Sequence, residues 1–226
     1  MRPWFALILA IVIALTGCTR QLTGTAGPDP NKAPVELASD GYGIKVGFED
    51  APVQLELYTE PQCSHCADLQ ADFGDQLAYY IAVGRLAVTY RPMTFLDKGS
   101  DLHSARVVNA LFAAATPADE DDVPTPGPAF QRYVMALWAL HDGGADHPSA
   151  TELSDLARDA GIPDVRAARI ALGKPAVNVG ELQDTNFELL YLLDPVDTGV
   201  PTVYNLANDD KLDIYDDNWL VKVMES

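Results

Sequence analysis

The polar and apolar positions of the chain follow two different periods, which together predict a mixed α/β protein. Residues 53–58 alternate between apolar and polar side chains and are rich in strand-forming types, and residues 86–91 form a second strand-like segment. Between them, residues 64–83 place apolar side chains three or four positions apart, as an amphipathic helix does. If the two strands are parallel, this order makes a right-handed β-α-β unit.

The later part of the chain predicts a block of helices followed by two strands and a last helix. Helices are predicted at residues 102–115, 130–141, 151–160, 164–172, 181–193 and 218–224, and strands at residues 201–206 and 211–215. The acidic, proline-bearing stretch 116–128 predicts a loop. The order therefore predicts one α/β domain whose β-α-β and β-β-α halves are separated by a helical insertion at about residues 100–193.

The N-terminus has the pattern of an export signal. Arg2 precedes an apolar run from Trp4 to Leu15, which is shorter than the roughly 20 residues that cross a bilayer and suits a signal peptide. The sequence Leu-Thr-Gly-Cys at residues 15–18 follows at once and resembles the bacterial lipobox, in which the cysteine is lipid-modified after cleavage. Residues 1–17 are thus predicted to be a signal peptide and Cys18 a lipidation site. The alternative is an ordinary cleaved signal that happens to carry a cysteine.

The rest of the chain is predicted to be a tether and a single folded domain. Residues 18–34 are polar and contain glycine and proline, which predicts a flexible tether, and residues 35–226 are enough for one domain. The net charge of −18 excludes the basic footprint of a nucleic-acid-binding protein. It also disfavours adhesion to anionic headgroups, so the predicted membrane link is the lipid on Cys18, at the outer side of the cytoplasmic membrane.

The cysteines carry the clearest chemical signal. If Cys18 is lipidated, Cys63 and Cys66 are the two thiols that remain, and they fall where a strand gives way to a helix. A disulfide between them would close a very small loop and add little stability, so a redox role is favoured over a purely structural disulfide. The amides and dipole of a helix N-terminus favour a thiolate at Cys63, and a protonated His65 adds to this effect. Cys66, one turn deeper, is then the resolving cysteine.

A zinc site is the main structural alternative for two cysteines at this spacing. Zinc usually takes four ligands, often as two spaced pairs, and the sequence has no second cysteine pair. Cys63, His65, Cys66 and His103 supply four candidate ligands, but His65 and Cys66 are adjacent on a helix and point in diverging directions. The sequence therefore predicts no metal, and no cofactor beyond a redox-active Cys63–Cys66 disulfide.

Three segments together resemble the DsbA-like thioredoxin family of exported bacterial proteins. They are residues 58–66, with the Cys-Ser-His-Cys motif, residues 104–111, and the Gly-Val-Pro-Thr sequence at residues 199–202. The resemblance covers about residues 53–204 and implies a thioredoxin-like fold with an inserted helical subdomain. It also implies a cis Val200–Pro201 bond that faces the cysteines, with the Val200 backbone pairing with a substrate peptide. Ser64 stands where the family usually has proline, which leaves the redox potential open.

The predicted activity is that of a thiol-disulfide oxidoreductase that introduces disulfides into reduced exported polypeptides. The resemblance implies reoxidation by a quinone-linked membrane protein. Glu60, three residues before Cys63, is a candidate proton relay, and an exposed loop carboxylate is the equally weighted alternative. Two other functions stay open. One is a disulfide reductase or isomerase on the same scaffold, and the other is a non-catalytic lipoprotein that binds partners at the cell surface.

Overall fold

The computed structural model describes residues 29, 32–100, 102–119, 122–141 and 147–226. The predicted signal peptide, Cys18 and most of the predicted tether lie outside these residues. The strands are β1 (Val35–Leu37), β2 (Ile44–Val46), β3 (Val53–Thr59), β4 (Leu86–Pro92), β5 (Thr202–Asn205) and β6 (Asp210–Lys211). The helices are α1 (Ser64–Ala82), α2 (His103–Ala115), α3 (Gly127–Trp138), α4 (Ala150–Ala160), α5 (Asp164–Ala171), α6 (Val179–Leu193) and α7 (Trp219–Glu225).

All six strands belong to one mixed sheet with the order β1-β2-β4-β3-β5-β6. The central strands β3 and β4 are parallel, from Val53 opposite Leu86 to Thr59 opposite Pro92, and every other neighbouring pair is antiparallel. The predicted β-α-β unit is therefore confirmed. Its parallel register brings the ends of β3 and β4 to the same edge of the sheet, which is where α1 begins.

The sheet is covered on both faces. On β3, Leu55 and Leu57 point into the main core, whereas Tyr58, with the opposite orientation, packs with Met93 and Leu190 of α6. The main-core face carries α1, whose buried side chains include Leu69, Phe73, Leu77 and Ile81. At Gly74, a β-carbon would lie 2.6 Å from the Met135 side chain of α3, so this glycine allows the two helices to approach closely.

The helical insertion comprises α2 to α6, in agreement with the predicted range. Phe130 and Trp138 of α3 are fully buried in the core. Arg166 of α5 forms an ion pair with Asp122 at 2.7 Å and donates hydrogen bonds to the carbonyls of Ala114 and Ala115 at the end of α2. Arg166 thereby fastens the loop between α2 and α3 to α5 and to the end of α2.

Several local predictions were wrong. The helix predicted to open at Thr151 begins at Ala150, because Ser149 and Glu152 form a capping box. The last strand was predicted to extend to Tyr215 but ends at Lys211, and Tyr215 is 76% exposed. His103, one of the four candidate zinc ligands, is fully buried at the start of α2 and stacks on His147 with the ring centroids 4.3 Å apart.

Strands β1 and β2 had no prediction at all. At three residues each they are too short to show an alternating pattern, and it is the pairing of Ile44 with Tyr90 and Val46 with Val88 that makes β2 a strand. Among the helices that the structure describes, none is both long enough and apolar enough to cross a membrane.

Candidate redox site

Cys63 and Cys66 lie where the sequence places them, at the junction between β3 and α1. The chain turns at Glu60, whose carbonyl accepts a hydrogen bond from the Cys63 amide at 3.1 Å. Cys63 is then the N-cap of α1, with extended backbone angles (φ −80°, ψ 117°), and Cys66 lies in the first helical turn. Both are free thiols in this structure. Cys63 is half-buried, whereas Cys66 is fully buried.

The environments of the two thiols shift their pKa values in opposite directions. A hydrogen bond from the Cys66 thiol, together with the backbone amides of Cys66 and His65, lowers the pKa of Cys63 to about 6 against the opposing effect of burial. Burial, and then the nearby Cys63 sulfur, raise the pKa of Cys66 far above its usual range. At neutral pH the accessible sulfur is thus a thiolate and the buried one stays protonated, which is the division expected of a nucleophile and its resolving partner.

His65 makes a smaller contribution than the sequence suggests. Its charge favours the Cys63 thiolate less than the hydrogen bonds from Cys66 do. The side chain is 67% exposed, its Nδ1 lies 3.8 Å from the Asp68 carboxylate, and its ring meets the ring of Tyr215 edge-on with the centroids 6.5 Å apart. His65 therefore lines the outer side of the site, where an incoming molecule can reach it.

The loop before β5 completes the site. The Val200–Pro201 peptide bond is cis, as the resemblance implies. The Cys63 Sγ lies 3.7 Å from the Val200 carbonyl oxygen, which can accept a weak hydrogen bond from the thiol. Two grooves, of about 430 and 320 Å³, both include Pro201, Ile214 and Tyr215 in their walls, and the second also includes His65. Cys63, a half-buried residue, thus contacts Val200, which lines the first groove, so open surface lies next to the cysteine.

Comparisons with known proteins agree with this geometry. A family model described as thioredoxin matches residues 39–123. The serine/threonine-protein kinase PknE of Mycobacterium tuberculosis is 31% identical over 83 residues, which are 36% of this chain and 15% of the kinase. The chain thus spans only a small part of the length of the curated relatives that it matches.

Solved structures match over most of the chain. MdbA, a thiol-disulfide oxidoreductase from Corynebacterium matruchotii, superposes with a TM-score of 0.64 at 20% identity, over 80% of this chain and 88% of MdbA. Reduced DsbA from Mycobacterium tuberculosis superposes with a TM-score of 0.61 at 21% identity, over 82% of this chain and 91% of DsbA. The chain has the DsbA-like thioredoxin fold.

Within this fold, Glu60 is buried on the turn that leads into Cys63. It is fully inaccessible, so the alternative of an exposed loop carboxylate is wrong. One carboxylate oxygen accepts a hydrogen bond from the Gln62 amide at 2.6 Å, and the other accepts one from the Ser104 hydroxyl. Burial outweighs these two hydrogen bonds and raises the pKa of Glu60 to about 7. A carboxyl group poised near neutral pH beside a reactive thiol can exchange protons during a reaction.

Three polar residues around Glu60 were not predicted as part of the site, namely Gln62, Asp97 and Ser104. Asp97, in the loop after β4, accepts hydrogen bonds from the amides of Ser104 and Ala105 and so caps α2 from outside the helix. Asp97 precedes Ser104 by seven residues, whereas an N-cap side chain lies two or three residues before the amide from which it accepts. No local sequence pattern could therefore have identified Asp97 as a cap. In the parts of the chain that the structure describes, no three histidine, cysteine, aspartate or glutamate side chains converge to hold a metal ion.

Proposed function

We propose that this protein is a thiol-disulfide oxidoreductase that introduces disulfides into exported polypeptides through a Cys63–Cys66 redox pair. The single observation that carries the proposal is the pairing of a half-buried thiol of low pKa with a fully buried thiol of high pKa, beside the cis Pro201 loop. A purely structural pair of cysteines does not require such a difference between the pKa values of its two thiols.

The proposed reaction has two exchanges. The oxidised enzyme holds the Cys63–Cys66 disulfide, and a client thiolate attacks the Cys63 sulfur. The new bond joins the client to Cys63, and the electron pair of the broken bond goes to the Cys66 sulfur, which takes up a proton. A second client thiolate then attacks the client sulfur of the mixed disulfide, and Cys63 leaves as a thiolate. The client gains a disulfide, and the enzyme is left as a dithiol that an external oxidant must reoxidise.

The environment of Cys63 supports the oxidising direction. Groups that stabilise the thiolate stabilise the reduced enzyme, which makes the disulfide a stronger oxidant. The amides of His65 and Cys66 and the Cys66 thiol all act in this sense. The Val200 backbone, at the edge of the groove, is proposed to pair with the extended client chain and hold it during the exchange.

The proposed location is the outer side of the cytoplasmic membrane. The proposal depends on the sequence at residues 15–18 and on the apolar run before it. A lipid on Cys18 would keep the domain near a quinone-linked membrane protein, the proposed reoxidising partner, and near newly exported clients. Replacement of Cys18 by serine is expected to release the protein from membranes into the soluble fraction, as seen by fractionation and immunoblotting. Continued membrane association of the variant would contradict the anchor.

Equilibration with glutathione tests the direction of electron flow. We expect a reduction potential well above that of thioredoxin, near the range of about −120 to −180 mV that oxidases and isomerases occupy. A potential near thioredoxin's, about −270 mV, would favour the reductase.

Trapping in cells tests catalysis itself. The Cys66→Ala variant is expected to remain attached to exported proteins through Cys63, and the Cys63→Ala/Cys66→Ala double variant, as the matched control, to capture none. If the single variant captures nothing and Cys63→Ala leaves thiol oxidation unchanged, the non-catalytic surface lipoprotein gains support instead.

A further inference from the structure

Glu60 is held by a chain of hydrogen bonds that begins outside the cysteine motif. The Gln62 side-chain amide donates to the Asp97 carboxylate at 3.0 Å and to the Ser104 hydroxyl oxygen at 2.9 Å. The Ser104 hydroxyl in turn donates its single proton to Glu60. Because both hydrogens of the Gln62 side-chain amide are used, the Ser104 oxygen accepts from Gln62 and the Ser104 hydroxyl proton is directed to Glu60 when Glu60 is ionised.

The two ends of this chain belong to different parts of the fold. Glu60 and Gln62 lie on the turn that leads into Cys63, whereas Ser104 is on α2, the first helix of the insertion. Asp97 also accepts from the Ser104 amide at 2.8 Å, so it holds the turn and the helix in one arrangement. Ser104 is fully buried, like Glu60, so water does not compete for the bond between them.

Among the described residues, two charged groups have a clear effect on Glu60, and both are negative when ionised. They are Cys63 at the start of α1 and Asp97 in the loop after β4, and both oppose ionisation of Glu60. The groups that favour the carboxylate are two neutral donors, the Ser104 hydroxyl and the Gln62 amide. By reciprocity, an ionised Glu60 opposes a thiolate at Cys63, so the state of Glu60 affects the reactive sulfur.

We propose that Ser104 is a positioning residue of the redox site, through which the helical insertion sets the pH at which Glu60 ionises beside Cys63. This inference deepens the proposed function, since it assigns a task to the insertion in tuning the same cysteines. Below this pH, Glu60 is neutral and the Cys63 thiolate has no second negative charge next to it. Above it, the carboxylate disfavours the thiolate and so weakens the disulfide as an oxidant.

A carboxyl titration of the reduced full chain tests this assignment directly. The ¹³C shift of the Glu60 carboxyl carbon, assigned with Glu60→Gln, is followed against pH in the parent protein and in Ser104→Ala. Removal of a donor to a buried carboxylate should move the Glu60 midpoint upward by roughly one pH unit. If Ser104→Ala instead loosened the site, water would enter and the Glu60 midpoint would move downward, towards that of an ordinary carboxyl group. The direction of the shift therefore separates a positioning role of Ser104 from a structural one.

Three variants serve as controls for the titration. Ser104→Thr keeps the hydroxyl and should return the midpoint to the parent value. Ser154→Ala makes the same change at another buried serine of the insertion, which donates to the Ala167 carbonyl, and should leave the midpoint unchanged. If Ser104→Ala does not fold, Ser104→Thr and Ser104→Val replace it, because they differ only by a hydroxyl for a methyl. An unchanged or lowered midpoint without the hydroxyl would overturn the proposal.

The oxidised protein tests the link to Cys63. Formation of the disulfide removes the thiolate charge, so the Glu60 midpoint should fall relative to the reduced protein, and an equal midpoint in both forms would overturn the link. Neither titration requires a client. If the midpoints move as expected while the chain fails to oxidise thiols, the role of Ser104 stands and the proposed function fails.

Discussion

The redox site and the helical insertion each bury a carboxylate, and they treat it in opposite ways. In the insertion, the side chains of Asp122 and Arg166 are 1% and 2% exposed, and the guanidinium lies 2.7 Å from the carboxylate. Burial raises the pKa of Asp122, but the hydrogen bonds from the Ala118 amide and Arg166 outweigh it, and the net shift is downward. At the redox site, burial outweighs the hydrogen bonds that the Ser104 hydroxyl and the Gln62 amide donate to Glu60, and the pKa of Glu60 rises to about 7.

The difference lies in the partner that each carboxylate has. A buried carboxylate with an adjacent guanidinium stays charged over the whole physiological pH range and serves to hold chain segments together. A buried carboxylate with neutral donors and negative neighbours is poised to gain or lose a proton near neutral pH, which is a property of functional sites. One fold thus contains a fixed charge that supports structure and a titrating charge that can take part in chemistry.

Removal of the cation in the insertion should give the largest effect. Arg166→Met leaves the Asp122 carboxylate buried without its partner and should lower the free energy of unfolding by about 3–5 kcal/mol. Urea unfolding at pH 7 measures the loss. The ultraviolet thiolate absorbance of Cys63 should titrate as in the parent protein, because the ion pair is not part of the redox site.

An exposed ion pair provides the matched control for Arg166. Arg158 is 40% exposed and lies 2.9 Å from Asp155, so Arg158→Met should cost less than about 1 kcal/mol. If Arg166→Met were as mild as Arg158→Met, the Asp122 carboxylate would not be a fixed, structure-bearing charge and the contrast with Glu60 would fail.

The sequence predicted the part of the site that depends on local chemistry. The Cys-x-x-Cys spacing, a strand before it and an apolar helical pattern after it were enough to place Cys63 at a helix N-terminus. The Gly-Val-Pro-Thr sequence was enough to place Pro201 by family resemblance, and the structure brings the two segments together.

The rest of the site depends on contacts between residues far apart in the sequence. Ser104 lies 44 residues from Glu60, and nothing in its neighbourhood marks it as a partner of a carboxyl group. For the same reason the burial of Glu60 could not be predicted, since it follows from how α2 packs against the turn. Strands β1 and β2 were missed because pairing with β4, not an alternating pattern, makes them strands.

Neutralisation of Glu60 should have the opposite sign to the change at Arg166. The folded-state pKa of Glu60, about 7, lies above the ordinary 4.5, so between these values the folded protein keeps a proton that the unfolded chain has lost. The free energy of unfolding therefore falls as pH rises through this window, by about 3 kcal/mol in total. Glu60→Gln should be more stable than the parent by up to that amount at pH 8 and equal to it at pH 4, as measured by urea unfolding at both pH values.

Glu36→Gln, at an exposed position of β1, serves as the control and should change the free energy of unfolding by less than about 0.5 kcal/mol. A Glu60→Gln variant less stable than the parent at pH 8 would mean that the carboxylate is stabilised by its surroundings, as Asp122 is, and would remove the difference between the two regions.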